Sequence, residues 1–160
     1  GGPARLNGLD FADDPAGVEV RGVRFRALKV YESPARDEPI SMPYFSLGGV
    51  SLCHSGDLGH ALTAAEIEPI KNIDVFLAVT GGPPTVALAD LKAAINLIQP
   101  RLVIPMHYQT GKVNLNLSPL DDFLAQMAGT PIVHHNSPTL GLSPGALPSQ
   151  TTIVVLPSAR

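Results

Sequence analysis

The stretch from Ile73 to Met106 constrains the fold more than any other part of this sequence. Ile73 to Val79, IDVFLAV, is a continuous apolar run of strand length, closed by Gly81-Gly82-Pro83-Pro84. Leu88, Leu91, Ile95 and Ile98 then recur at helical spacing until Pro100 ends the pattern. Arg101 to Met106, RLVIPM, is a second apolar run. Strand, helix and strand at these lengths predict a parallel pair with a right-handed crossover, because a tight turn cannot join parallel neighbours. Upstream, residues 18 to 30, VEVRGVRFRALKV, alternate apolar and polar with the two-residue period of half-buried strands. Tyr44 to Leu47 and Val50 to His54 flank Gly48-Gly49, a hairpin signal. Thr63-Ala64-Ala65-Glu66 has the capping-box pattern and predicts a short helix that buries Ile67 and Ile70. Ser118-Pro119 predicts another helix, with Ser118 as N-cap and Leu120, Phe123, Leu124 and Met127 as its buried stripe. Pro131 to His134 and Thr152 to Leu156 read as short closing strands. The expected fold class is α/β, a mixed sheet with flanking helices. Residues 1–16 are Gly/Pro/Asp-rich and are expected to be a loose leading segment; residues 31–40 are expected to be an exposed loop, and 17–157 the domain.

Composition supports a packed core and removes several function classes. Hydrophobic residues make up 44% of the 160, enough to exclude intrinsic disorder. Cys53 stands alone, which excludes an internal disulfide framework and a Cys-rich zinc module; in a core strand it is expected to be a packing residue. The net charge of −3 shows no basic footprint for nucleic acid or an anionic membrane. No apolar run approaches a membrane span, and no signal-peptide core is present, so a cytoplasmic setting is expected. The chain begins Gly1-Gly2-Pro3 without methionine, so it is either processed or a piece of something longer.

In an open α/β sheet, ligands collect beyond the carboxyl ends of the strands. Three predicted loops fall there: Ser55-Gly56-Asp57, Thr80-Gly81-Gly82 and His107-Tyr108. His54-Ser55-Gly56-Asp57-Leu58-Gly59-His60 is the densest cluster of chemically capable side chains. Asp57, just past a buried strand, can meet a metal or polarise water, and His60 can join it. The same residues can equally be a turn cap and surface groups. His107, closing a buried strand, has the fixed backbone a metal ligand needs, or is a half-buried histidine bonded to a carbonyl. Both motifs at one sheet edge point to a shared site.

HSGDLGHALTAAEIEPIKNIDVFLAVTGG, followed by IQPRLVIPMHY, resembles the carboxyl-terminal part of metallo-β-lactamase-fold hydrolases. The branch it is most similar to is the group of metal-dependent hydrolases that includes ascorbate-phosphate lactonases. The likeness covers roughly residues 17–157 and is strongest from Gly49 to Tyr108. It implies the carboxyl-terminal half of an αββα sandwich, with metal-activated water attacking an ester, lactone, amide or phosphodiester in a small-molecule substrate. By resemblance, Asp57 bridges two metals, zinc or another divalent transition metal, and His107 binds one of them. His60 fits the pattern as a weaker candidate, without an assigned ligand role.

The sequence departs from that family in one respect. The family supplies an HxHxDH motif and a further histidine before the GD turn, whereas no histidine here precedes His54. Around the place of the further histidine the chain reads Val30-Tyr31-Glu32-Ser33, where Glu32 is the more plausible oxygen ligand in its stead. Two ligands fall short of the three that a catalytic zinc keeps. The chain alone is therefore expected to be inactive and to bind metal weakly or not at all. A degenerate, metal-free member acting as an interaction or small-molecule-binding module is the alternative. One sheet's worth of chain would also leave a bare apolar face, so a homodimer, a domain swap or a docked amino-terminal half is expected.

Overall fold

The computed structural model describes residues 16–112 and 114–158. The leading segment expected at 1–16 lies outside them except for Ala16, which sits in a turn. Eight strands form a single sheet: β1 (Val18–Val20), β2 (Val23–Tyr31), β3 (Pro39–Leu47), β4 (Val50–His54), β5 (Val75–Val79), β6 (Leu102–Met106), β7 (Ile132–His134) and β8 (Thr152–Val155). Their order is β1-β2-β3-β4-β5-β6-β8-β7. The first four pair antiparallel as a meander; β4, β5, β6, β8 and β7 pair parallel. Among the described residues, three α-helices, α1 (Ala64–Ile67), α2 (Leu88–Ile98) and α3 (Leu120–Gln126), and 3-10 turns at Glu68–Ile70 and Pro144–Ala146 accompany the sheet. The mixed α/β sheet with flanking helices is as the sequence indicates.

Two local expectations are corrected: the exposed loop expected at 31–40 is shorter, because Tyr31 ends β2 and Pro39 begins β3, and Ser118 does not cap its helix. The alternating run 18–30 forms two strands of a hairpin, with Arg21 (φ 51°) and Gly22 (φ 80°) as its two-residue turn. Such turns need both central residues left-handed, and an arginine in that position carries little sequence signal. Ser118 is not the N-cap of α3; Pro119 holds that position and makes no side-chain cap bond. The Ser118 N–H is instead donated to the Gly81 carbonyl (2.7 Å), which docks the segment before α3 onto the β5 loop. The Thr63–Glu66 capping box is present with both of its reciprocal bonds.

Strand alternation sorts the core into two unequal layers. Toward the helices, Val30, Met42, Cys53, Phe76, Val103 and Ile153 are each 0% exposed and pack against Ile67, Ile70, Leu91, Ile95, Ile98 and Phe123. Burial pushes the Cys53 thiol up to about 12, so it packs as a small apolar group. The opposite face is dressed only in part. Leu140, Leu147 and Leu156 cover Val50, Val75, Leu102 and Val154. Phe25, Phe45, Leu52, Leu77 and Ile104 on that face stay partly open, while Leu47 and Val133 are 62% and 48% exposed.

Gly59 ties the antiparallel half of the sheet to the parallel half. Its N–H donates to the Tyr31 carbonyl (2.8 Å), and a Cβ at this position would run into the Glu32 carbonyl and its carbon. Only a residue without a side chain lets these two backbones meet. Gly59→Ala is expected to cost at least about 2 kcal/mol in urea unfolding, because backbone rather than a flexible side chain must give way. A loss below about 0.5 kcal/mol, the range of ordinary surface changes, would contradict this contact.

Candidate metal centre

The turn after β4 presents Asp57 on a rigid base. Ser55 is fully buried. Its N–H donates to the Leu77 carbonyl (3.0 Å), and its hydroxyl accepts the Val79 N–H (2.9 Å) while donating to the Gly56 carbonyl (3.3 Å), so it ties the turn to β5. On the far side, Leu58 is buried and its carbonyl accepts the Val86 N–H (2.7 Å). Asp57 itself is fixed between these anchors and remains open to solvent, which is how a supporting shell holds a ligand ready.

His107 follows β6 with φ 54°, a left-handed conformation rare for a residue with a side chain. It is held there from the β5 loop. Thr80 donates both its N–H (2.9 Å) and its hydroxyl (3.1 Å) to the Met106 carbonyl, and Gly81 lies where a Cβ would strike the His107 carbonyl. Strain of this kind persists where neighbours over-determine it, and it gathers at functional sites. His107 Nε2 stands 3.8 Å from Asp57 Oδ1, with side chains 32% and 58% exposed.

The donor chemistry fits a divalent ion in part. Two donors each about 2.1 Å from one ion stand about 3.4 Å apart at a tetrahedral angle, so 3.8 Å is close to a shared site. No group of three His, Cys, Asp or Glu side chains comes together for a metal among the described residues. Glu32 lines the same cleft but does not complete the pair, and its N–H is donated to Glu38. His60 is turned to another task. Its Nε2 must accept the Tyr31 N–H (3.2 Å), so Nδ1 carries the proton and donates to the Ala61 carbonyl (2.8 Å). With Gly59, it occupies both backbone groups of Tyr31 and fixes the corner that leads to Glu32.

The cleft over Asp57 and His107 has a volume of about 940 Å³. Pro34, Pro83, Pro84, Leu115 and Leu117 make its apolar walls, and Glu38, Thr85 and Asn116 add polar groups that the sequence did not mark. Pro83-Pro84 signalled only a turn, and nothing in Leu115 to Leu117 marked a wall.

His54 supports the turn from beneath. Its Nδ1 accepts the Gly56 N–H (2.9 Å), a bond available only to a ring nitrogen without its proton. Burial lowers its pKa, partly offset by the Asp57 charge. With the folded value below the unfolded one, His54 contributes stability above the ordinary histidine range, lost as pH falls through and below it. Urea unfolding of the metal-free chain should weaken between about pH 7.5 and 5.5, and weaken less in His54→Gln. An identical pH dependence in the variant would contradict this assignment.

The beta-lactamase superfamily domain matches residues 7–107. A UPF0173 metal-dependent hydrolase of Carboxydothermus hydrogenoformans is 37% identical over 68 residues, covering 42% of this chain and 30% of that protein. Another from Pyrococcus furiosus is 32% identical over 115 residues, covering 62% of this chain and 51% of that one. The chain thus spans about a third to a half of these curated relatives. Among solved structures, a Thermotoga maritima protein of the metallo-beta-lactamase superfamily superposes with a TM-score of 0.73 at 33% identity, covering 90% of this chain and 70% of that one. A Bacillus subtilis metallo-beta-lactamase fold protein, 11% identical with a TM-score of 0.54, shares the fold over 89% of this chain and 50% of its own. Family match, fold and relatives agree: the chain belongs to the metallo-beta-lactamase superfamily.

Proposed function

We propose that this chain is the carboxyl-terminal portion of a metal-dependent hydrolase, with Asp57 and His107 as its share of the metal ligands. The carrying observation is their 3.8 Å approach at the carboxyl edge of parallel strands, with His107 held in a left-handed backbone. The chemistry a divalent ion supplies between such donors is polarisation of a carbonyl or phosphoryl oxygen and activation of water. Asp57 provides an oxygen donor fixed by its buried neighbours, and His107 a ring aimed by backbone strain. The proline and leucine walls take the apolar part of a substrate whose scissile bond is an ester, lactone, amide or phosphodiester. Zinc is the metal we favour, since one imidazole and one carboxylate suit it and the Thermotoga relative is described as a candidate Zn-dependent hydrolase.

In the same proposal, the remaining ligands arrive with whatever covers the open sheet face. That partner is an amino-terminal half or a second copy. The partly open row Phe25, Phe45, Leu52, Leu77 and Ile104 supports this, since an apolar face of that extent is normally covered. A degenerate, metal-free binding module is the second reading, favoured by the absence of a third donor and of any histidine before His54.

Zinc calorimetry on the 160-residue chain tests the proposal. Weak binding, of about micromolar affinity or weaker, is expected and should vanish in Asp57→Ala and in His107→Ala. Submicromolar binding would show that the ligand count is wrong. No binding at all would favour the degenerate module.

A further inference from the structure

A second cleft lies at the other end of the sheet, on the helical side, and its chemistry is unlike that of the metal edge. It has a volume of about 490 Å³. One wall is β2, where Arg24 and Arg26 alternate with Leu28 and Val30 and so project to the helical face. Facing them is the turn after the Glu68–Ile70 3-10 helix, which carries Lys71 and Asn72. Tyr44, paired with Arg26 across the strands, lies between the two walls.

The cations are fixed at their bases. Arg26 belongs to a regular antiparallel ladder. Lys71 is followed by Asn72 at φ 59°, whose N–H is donated to the Ile98 carbonyl (2.6 Å), so the turn cannot drift from α2. No carboxylate lines this cleft. Arg24 pairs with Glu19 (3.1 Å) at the exposed rim, whereas neither Arg26 nor Lys71 has an ion-pair partner among the described residues. Three of the eleven lysines and arginines of a chain with net charge −3 thus surround one concavity. Like charges repel, so Arg26 and Lys71, with no ion pair of their own among the described residues, create a focused positive potential there, while Glu19 offsets Arg24 at the rim and Asp74 lies behind Ser51.

From this we infer a binding site for a small ligand bearing a phosphate monoester or diphosphate. The Arg26 guanidinium fork and the Lys71 ammonium match the several oxygens and the double charge of that group, while Arg24, held by the Ala16 carbonyl and Glu19, adds its charge at the rim. The cleft is of a size that holds one small molecule. It is separate from the metal edge: the seven residue steps along β2 from Arg24 to Tyr31 span about 23 Å. Because it lies on the helical side, a partner on the open sheet face leaves it free.

Pyrophosphate, titrated into the full chain in chelator-containing buffer, is the probe. Amide resonances followed by NMR should shift at Arg26, Tyr44, Lys71 and Asn72 while those at Asp57 and His107 stay still. The double variant Arg26→Gln with Lys71→Gln should weaken binding at least about tenfold, without change in its circular dichroism melt. Shifts centred on Asp57 and His107, no shifts at millimolar pyrophosphate, or undiminished affinity in the double variant would each overturn the inference.

Discussion

The structure depends on two places where backbone meets backbone with no side chain between. At Gly59 the GD turn lies against the Tyr31–Glu32 corner, and at Gly81 the β5 loop lies against the His107 carbonyl. Each contact excludes a Cβ, so each fixes a loop by shape as well as by hydrogen bonds. Together they lock four loops, those after β2, β4, β5 and β6, into one edge. Asp57 and His107 are the exposed polar ends of that assembly, and their separation is set by parts that cannot easily move.

The second governing feature is the asymmetry of the sheet. Toward the helices the strands contribute fully buried side chains; away from them, the alternating residues remain partly open except where the 136–150 segment crosses. Among the described residues no third donor joins Asp57 and His107, and one sheet face is incompletely covered. The donor pair sits at the carboxyl edge and the open row on one sheet face, and in the proposed function a single partner completes both. The basic cleft stands apart, since it lies on the completed side.

Much of this was legible in the sequence. The apolar runs at Ile73–Val79 and Arg101–Met106 identify the parallel unit because strands buried on both faces need no alternation. Thr63 and Glu66 announce their cap through chemistry confined to four residues. What failed to show depended on distant partners. His60 reads as a weaker metal candidate or a loop group, and its bond to the Tyr31 N–H does not show in the sequence. Ser118 reads as a cap until its N–H is found on the Gly81 carbonyl. Arg21 in a tight turn and His107 with a positive φ are conformations forced by their surroundings, which residue type alone does not reveal. The cleft walls at Leu115 and Leu117 are likewise set by tertiary placement.

The central claim is that Asp57 and His107 address one metal ion. Cobalt(II) titration of the chain, followed by NMR, tests it most directly, because paramagnetic broadening falls steeply with distance from the ion. The account predicts that resonances of Asp57 and His107 broaden together, ahead of those of His134 and His135, and that Asp57→Ala abolishes the effect at His107. Broadening first at His134 and His135, or at His107 irrespective of Asp57, would contradict it.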